Sequence, residues 1–226
     1  MTVLIGLECH VQLNTKSKLF CGCSLDHSKP NSSVCDVCLG MPGSKPVLNE
    51  KALELALRVA TTLKCNIANE TLFSRKSYFY PDMPKNYQIS QFEMPLAYDG
   101  KIDNIRIRRV QLEEDPGSLI HKDNYTLIDY NRAGTPLIEV VTEPDFENPE
   151  ETRVFLNKFT TMLEYLQVYN RKSEFSLRVD ANVSINNGER VEIKNVYGIK
   201  DVFKALNYEI TRQKREKVVR ETRGWD

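Results

Sequence analysis

The sequence predicts an α+β fold that carries a small zinc-binding knuckle. Three observations lead to this class: segments in which apolar and polar residues alternate, segments with the spacing of an amphipathic helix, and two close pairs of cysteines. The 226 residues are enough for one large domain or two small ones with a real core. Apolar residues at 41% and charged residues at 27% are ordinary for a globular protein.

The charges of the chain are balanced, with 31 basic and 31 acidic residues and a formal net charge of zero. This balance gives no overall attraction to nucleic acid, so an RNA contact would need a local basic patch. The sequence has no apolar run long enough to span a bilayer and no signal peptide. We therefore expect no membrane association and a cytoplasmic location.

The first predicted strand, residues 3–14, has two different faces. Its odd positions are apolar or thiol, whereas Glu8, His10 and Gln12 occupy even positions, and alternation places the two sets on opposite faces. Taken alone, this pattern is more typical of a half-exposed strand. A carboxylate and an imidazole two residues apart on one face could also share one metal ion, and later segments of the chain favour that interpretation.

Four cysteines form two close pairs, Cys21 with Cys23 and Cys35 with Cys38. Such pairs supply four thiolates that can close tetrahedrally on zinc, with polar turn-forming residues between them, in a knuckle at about residues 20–40. The alternative is four unrelated thiols, and disulfides are less expected in a cytosolic chain. Because four protein ligands leave no open position, the predicted zinc is structural.

Three amphipathic helices are predicted. The first follows the N-cap Asn49 and continues to Lys64, and the second begins after Asn148 with Pro149 in its first turn. The third, from about residue 201 to 219, carries the local basic patch of the chain. Acids dilute that patch, so a solvated helix face is at least as well supported as an RNA contact.

Two stretches of the sequence are predicted to be irregular. Residues 75–91 contain Pro81 and Pro84, which forbid a regular helix or a central strand. The tyrosines and cations of this loop could lie over a nucleotide or a tRNA end, or the loop could be solvated, and the residues favour neither. The second stretch is at Arg108-Arg109, where apolar alternation changes phase and predicts a β-bulge.

Acidic residues mark a candidate magnesium site. Glu113, Glu114 and Asp115 are consecutive and lie just before a Pro-Gly pair, where the backbone is constrained. They could form a solvated loop, but like charges so close together favour a cation such as Mg²⁺. Glu139 lies within the apolar strand LIEVVT, so its side chain either faces solvent or is a metal ligand.

The clearest strand spans residues 174–185, with apolar residues at alternate positions. Its other face carries Arg178, Asp180 and Asn182, which a solvent-facing sheet could hold without any functional reason. The same residue types also suit a floor that binds phosphate and metal. A turn at residues 186–188 predicts a hairpin to a neighbouring strand with a similar pattern.

Seven ordered sequence blocks resemble the B subunit (GatB family) of the tRNA-dependent amidotransferases, which convert Glu-tRNA(Gln) or Asp-tRNA(Asn) to the amide. The blocks are IGLECHVQLNTKSKLFCGC, CDVCLGMPGSKPVLN, YFYPDMPKNYQISQ, LEEDPGS, DYNRAGTPLIEVVTEPD, LRVDANVSI and VEIKNV. HVQLNT and the short cysteine region are more similar to the B subunit than to its archaeal paralogue, the E subunit. The resemblance covers residues 1–226 and implies a catalytic cradle domain of mainly antiparallel sheet with flanking helices, similar to the glutamine synthetase catalytic fold.

The resemblance also implies the activity. The side-chain carboxylate of the mischarged amino acid is phosphorylated with ATP and then attacked by ammonia, which a separate amidase chain makes from glutamine. The implied cofactors are ATP, Mg²⁺ and structural Zn²⁺. The implied partners are the amidase (A) subunit, the small C subunit and the mischarged tRNA.

Site residues are assigned from the motifs together with residue chemistry. The predicted catalytic residues are Glu8, His10, Glu113, Glu114, Glu139 and Lys85, of which Glu8, His10, Glu113 and Glu139 are also predicted to bind magnesium. The predicted nucleotide and substrate contacts are Tyr80, Asp82, Arg178, Asp180, Asn182, Glu192 and Lys194. The predicted zinc ligands are Cys21, Cys23, Cys35 and Cys38.

Two features depart from the family pattern. Cys9 stands where an aliphatic residue is more common, and the sequence stops after ETRGWD, where family members continue into helical and tail domains. We therefore expect a fragment with the metal-binding part and poor tRNA binding. An alternative is a zinc-stapled RNA-binding or assembly module without the kinase, although such a module gains nothing from converging acids. An amidase is disfavoured, because we find no serine-rich glycine segment with a partnered lysine.

Overall fold

A computed structural model of the chain describes residues 2–169, 176–186, 188–216 and 218–225. Three helices and twelve strands within these residues confirm the α+β class. The helices are α1 (Glu50–Thr62), α2 (Pro149–Tyr165) and α3 (Ile199–Arg215). The strands are β1 (Val3–Gln12), β2 (Asn66–Ile67), β3 (Ser74–Ser77), β4 (Tyr87–Ser90), β5 (Ala97–Ile102), β6 (Ile105–Glu114), β7 (Ser118–His121), β8 (Thr126–Asp129), β9 (Pro136–Thr142), β10 (Leu177–Ile185), β11 (Val191–Tyr197) and β12 (Glu221–Gly224).

Eight strands form the main sheet, in the order β12-β11-β10-β1-β9-β6-β5-β2. Its neighbouring strands are antiparallel except for β11 and β12, which agrees with the expected, mainly antiparallel sheet. The pairs β3–β4 and β7–β8 form two separate two-stranded sheets. Among the helices of the described residues, we find none with the length and apolar character needed to cross a membrane.

The apolar face of the main sheet packs against the helices. The odd residues of β1, from Val3 to Val11, are buried in one cluster with Ala56 of α1, Phe159 of α2 and Leu206 of α3. Because side chains of a strand alternate between its faces, the even residues of β1 project to the opposite side. Burial of the apolar face thus fixes which face carries the predicted acids.

Capping side chains begin the first two helices where the sequence predicts. Oδ1 of Asn49 accepts hydrogen bonds from the backbone N–H groups of Lys51 and Ala52. Oδ1 of Asn148 accepts one from the N–H of Glu151. Both caps satisfy N–H groups that have no partner inside the first turn of a helix.

The third helix is shorter than predicted, because α3 ends at Arg215 instead of continuing to about residue 219. Residue 216 is already extended, and residues 221–224 then pair with the edge of the main sheet as β12. An ion pair from Arg212 to Glu221 connects α3 to that strand. Lys217 of the predicted basic patch lies outside the described residues, as do Glu174 and Phe175 of the predicted strand and Asn187 of the predicted turn.

The predicted bulge is confirmed, and the predicted loop is only partly irregular. The register of β6 against β9 shifts between Ile107 and Arg109, so that Ile107 and Val110 are both buried. Residues 75–91 contain most of β3 and all of β4, which pair as a hairpin. Pro81 and Pro84 lie in the hairpin tip, where a missing N–H costs no strand hydrogen bond. The expectation of a wholly irregular loop was therefore wrong.

Candidate functional site

The polar face of the main sheet brings together acids from five neighbouring strands. Strands β11, β10, β1, β9 and β6 are consecutive in the sheet. His10 on β1 lies opposite Arg178 on one side and Glu139 on the other, and Glu139 lies opposite Gln111 of β6. Directly paired residues project to the same face. The predicted residues on this face form two groups.

The inner group consists of His10, Glu113 and Glu139, all three of which are buried. Each residue offers a ligand atom within 4.8 Å of those of the other two. Nε2 of His10 lies 3.8 Å from Oε2 of Glu113, and Nη2 of Arg109 lies 3.7 Å from Oε1 of Glu139. Two carboxylates and an imidazole in this arrangement can hold a divalent cation.

Uncharged donors hold the carboxylates of the inner group in place. Nε2 of Gln111 donates to Oε1 of Glu113 at 2.9 Å and to Oε2 of Glu139 at 2.7 Å. Oγ of Ser90 donates to Oε1 of Glu113 at 2.8 Å. The sequence analysis missed both donors. Gln111 could have been found from its position two residues before Glu113 on the same strand face, whereas Ser90 depends on the packing of β4 against β6.

The electrostatics of the inner group favour a bound cation. Burial, followed by the neighbouring charge of Glu113, raises the pKa of Glu139 well above its usual value. Burial and the charge of Arg178 lower the pKa of His10, which favours the neutral imidazole that metals bind. Nδ1 of His10 is buried and has no hydrogen-bond partner in the described part of the chain. A divalent cation would relieve the repulsion between the two carboxylates.

The outer group consists of Glu8, Asp180 and Glu192, whose ligand atoms also lie within 4.8 Å of one another. Nζ of Lys194 lies 3.3 Å from Oδ2 of Asp180 and 3.1 Å from Oε1 of Glu192. Nδ2 of Asn182 donates to Oε1 of Glu8 at 3.2 Å. Burial, followed by the charges of Asp180 and Glu192, raises the pKa of Glu8. Acids beside a lysine suit a site shared by a metal ion and phosphate oxygens.

Glu8 and His10, which the strand pattern allowed to share one metal ion, belong to different groups in the structure. Residues two apart along a strand are separated by about 7 Å. Each of the two also has its own cross-strand partner, since Glu8 pairs with Asp180 and His10 pairs with Glu139. The neighbouring strands therefore assign the two side chains to separate sites.

Glu114 and Lys85 lie outside both groups, and their catalytic role stays a prediction. Glu114 follows Glu113 on β6, so alternation directs it to the other face. There its side chain forms a buried ion pair with Lys85. The third consecutive acid, Asp115, is likewise buried and pairs with Arg132 at 2.5 Å. These two ion pairs fix the end of β6 instead of contributing to the acid groups.

The two predicted substrate contacts of the proline segment, Tyr80 and Asp82, differ in exposure. Tyr80 is half exposed and its ring centroid lies 6.1 Å from that of Tyr78. Asp82 is buried, and burial raises its pKa. Burial, followed by the charge of Asp82, raises the pKa of Tyr78. Contact of Tyr80 and Asp82 with a nucleotide or substrate stays a prediction.

A cavity of about 170 Å³ lies beside the outer group. Glu8, Asn182, Arg108 and Arg190 contribute to its lining. This volume is below the usual 300–1,000 Å³ of a small-molecule site, so it fits part of a nucleotide at most. A larger cavity of about 520 Å³ lies between α2 and the turn that joins β5 to β6, and none of the predicted site residues lines it. The residues that line the cavities therefore favour the smaller one as part of the candidate site.

The four predicted zinc ligands converge. Their Sγ atoms all lie within 4.8 Å of one another, and those of Cys35 and Cys38 are 3.9 Å apart. Thiolates at 2.3 Å from a tetrahedral zinc ion are separated by about 3.8 Å, so the arrangement fits that ion. A hydrogen bond with Cys21 is the main cause that lowers the pKa of Cys38 to about 4. The same hydrogen bond raises the pKa of Cys21, so one proton is held between these two thiols until a metal displaces it.

Comparison with known proteins shows the family to which the chain is related. A family model described as the GatB/GatE catalytic domain matches residues 3–226. The B subunit of an aspartyl/glutamyl-tRNA(Asn/Gln) amidotransferase from Methanospirillum hungatei is 53% identical over 99% of this chain and 51% of its own length. Proteins of the same name from Methanoregula boonei (54% identity, 94% and 47% coverage) and Haloquadratum walsbyi (49%, 100% and 53%) are similar. The chain spans about half the length of these curated relatives.

Proposed function

This chain belongs to the GatB/GatE catalytic domain family, and from that premise we propose that it carries the kinase and transamidase site of a tRNA-dependent amidotransferase. The proposed substrates are Glu-tRNA(Gln), Asp-tRNA(Asn) or both, together with ATP. The relatives described above are named as B subunits, which favours a B subunit over its paralogue, the E subunit. The observation that carries the proposal is the pair of acid groups side by side on one polar sheet face.

The proposed reaction has two steps. A side-chain carboxylate oxygen of the mischarged residue attacks the γ-phosphorus of ATP, the bond from phosphorus to the bridging oxygen breaks, and ADP leaves. Ammonia then attacks the acyl carbon, phosphate departs with the electrons of the C–O bond, and loss of a proton gives the amide. The first step is needed because a carboxylate is a poor electrophile until it has a leaving group.

Two magnesium sites suit this chemistry. His10, Glu113 and Glu139 would hold one ion, and Glu8 with Asp180 and Glu192 would hold the other. Bound Mg²⁺ would supply positive charge that offsets the negative charge spreading over the phosphate oxygens. The chain itself also contributes cations, since Lys194 contacts acids of the outer group and Arg109 lies near Glu139 of the inner group.

Lys194, Asn182 and Arg178 would orient the phosphates. Lys194 already contacts two carboxylates of the outer group, so it can move to a phosphate oxygen when a metal ion takes its place. Nε of Arg178 is buried with no hydrogen-bond partner in the described residues, and Oδ1 of Asn182 is in the same condition. Buried polar atoms without partners are costly, and a bound ligand would satisfy them.

The cysteine knuckle would hold a structural zinc ion, because all four positions around the metal are filled by protein ligands. The proposed partners are an amidase (A) subunit, which would supply ammonia, and a small C subunit. Both proposed tRNA substrates present a side-chain carboxylate, so the same site chemistry would serve either of them.

Magnesium-dependent ATP binding, measured by calorimetry on this chain, tests the proposal. We expect ATP to bind only with Mg²⁺ present and the Glu8→Ala variant to bind it about tenfold more weakly, because two acids of the outer group remain and water can replace the third. Glu70→Ala, which removes an exposed acid elsewhere, is the matched control and should bind as the unchanged protein does. Absence of ATP binding with retained tRNA binding would contradict the proposal and support a zinc-stapled RNA-binding module instead.

A further inference from the structure

Lys18 is a buried lysine at the cysteine knuckle that the proposed function does not use. It has no exposed surface and is among the largest fully buried side chains of the protein. Its Nζ lies 3.4 Å from Sγ of Cys38 and 3.2 Å from the backbone oxygen of Tyr130. One of its two neighbours is thus a predicted zinc ligand.

The charge of the knuckle explains why a lysine can be buried there. An ammonium group away from water is strongly destabilising unless a negative group compensates for it. Four thiolates around a divalent zinc ion carry two net negative charges. Lys18 would offset one of these charges, and the thiolates would in turn offset the cost of burying Lys18.

The surrounding backbone is shaped to admit the lysine. Gly134 has φ of +88°, and a Cβ atom there would lie 3.4 Å from Cδ of Lys18 and 3.7 Å from Cβ of Cys38. A Cβ atom would therefore be in van der Waals contact with both side chains, and the left-handed conformation is the reason that glycine suits this position. Gly134 thus lies directly against Lys18 and Cys38.

We propose that Lys18 is a positioning residue of the cysteine knuckle, whose positive charge compensates the thiolates and slows the loss of the bound metal. This inference rests on the zinc site of the proposed function. Tyr130, which accepts the second hydrogen bond of Lys18, also donates from its hydroxyl to the backbone oxygen of Pro81 at 2.8 Å. Lys18 thereby connects the knuckle to the proline tip beside the sheet face.

Zinc content and zinc release to a chromogenic chelator test the proposal in purified protein. We expect one zinc ion per unchanged chain and release about ten- to a hundredfold faster from Lys18→Met, the range usual for loss of a partner of a metal ligand. Lys16→Met, which removes an exposed lysine of the same segment, should release zinc at the unchanged rate.

A charge-matched pair separates compensation from packing and remains informative if Lys18→Met does not fold. Lys18→Arg keeps the charge and Lys18→Gln removes it, while both can donate to the backbone oxygen of Tyr130. Only the glutamine variant should release zinc faster. In cobalt-substituted protein it should also move the thiolate-to-metal absorption band to longer wavelength, because uncompensated thiolates give up electrons more readily.

The possible failures are distinguishable. Unchanged protein that contains no zinc would overturn both the zinc site and the role of Lys18. Zinc that is present and leaves the lysine, arginine and glutamine proteins at one rate, with one absorption band, would overturn the role of Lys18 alone and leave the zinc site standing.

Discussion

The two acid groups of the polar face differ in burial and in the cations they already contain. In the inner group, His10, Glu113 and Glu139 are 9%, 5% and 4% exposed, and the uncharged Gln111 bridges the two carboxylates. In the outer group, Glu8 and Glu192 are half-buried. Lys194 contacts two acids of the outer group, while Arg109 approaches Glu139 of the inner group only at 3.7 Å.

From this difference we propose separate roles for the two groups. Carboxylates in a buried, weakly compensated site gain more from a divalent ion than carboxylates that are mostly half-buried and paired with a lysine. The inner group is therefore suited to a tightly bound ion that stays with the protein. The outer group is suited to an ion that arrives with the nucleotide, because Lys194 can compensate the charges of Asp180 and Glu192 until the nucleotide binds.

The largest effect should follow removal of one inner carboxylate. Glu113→Gln should lower amidation by about a thousandfold, because the charge of a catalytic metal is worth several kcal/mol in the transition state. Glu192→Gln, its counterpart in the outer group, should cost no more than about tenfold, since Mg²⁺ readily replaces a carboxylate by water. The measurement is amidation by the amidotransferase reconstituted with its partner subunits, and glutamine hydrolysis is the control that should persist. A larger loss in Glu192→Gln would reverse the comparison.

A smaller effect should follow loss of the bridge between the inner carboxylates. Gln111→Leu removes the amide that donates to Glu113 and Glu139, so Mg²⁺ affinity should fall about ten- to a hundredfold. Calorimetric titration with Mg²⁺ in the absence of nucleotide measures it. Gln12→Leu, on the same face of β1, is the matched control. Equal affinities in both variants would show that Gln111 does not position the metal ligands.

The smallest effect concerns stability without metal. The folded pKa of Glu139 is raised above its usual 4.5, so the folded protein holds a proton that the unfolded chain releases. Stability from this residue therefore falls as pH rises above about 4.5. Glu139→Gln should lack this fall and be about 1 kcal/mol more stable at neutral pH without Mg²⁺, while gaining less from added Mg²⁺.

Thermal unfolding at several pH values, with and without Mg²⁺, measures the difference in stability between the unchanged protein and the Glu139→Gln variant. One kcal/mol corresponds to a midpoint increase of about 2–4 °C for a chain of this size. The difference curve isolates Glu139 because His10 and Glu8 remain in both proteins. A variant that is less stable at neutral pH without metal would show that Glu139 is compensated by groups of the protein itself.

Much of the fold follows from local sequence. The alternation in β1 and β10, the caps Asn49 and Asn148, and the bulge before Arg109 were all predicted, because each depends on residues close together in the chain. The end of α3 was not predicted, because it depends on β12 reaching the edge of the main sheet. The strands on either side of Pro81 and Pro84 were missed since their pairing, not their own sequence, makes them regular.

The sequence by itself determined which residue types the site contains and which face of each strand carries them, because both follow from side-chain chemistry and a period of two. It also determined the four cysteines of the knuckle, whose spacing is local. Only the tertiary structure decided the grouping. Glu8 and His10 fall into different groups because Glu8 pairs with Asp180 of β10, whereas His10 pairs with Glu139 of β9. Glu114 lies on the opposite face of β6 from Glu113, where it pairs with Lys85. Lys18 at the knuckle likewise depends on contacts between distant segments, which no local pattern encodes.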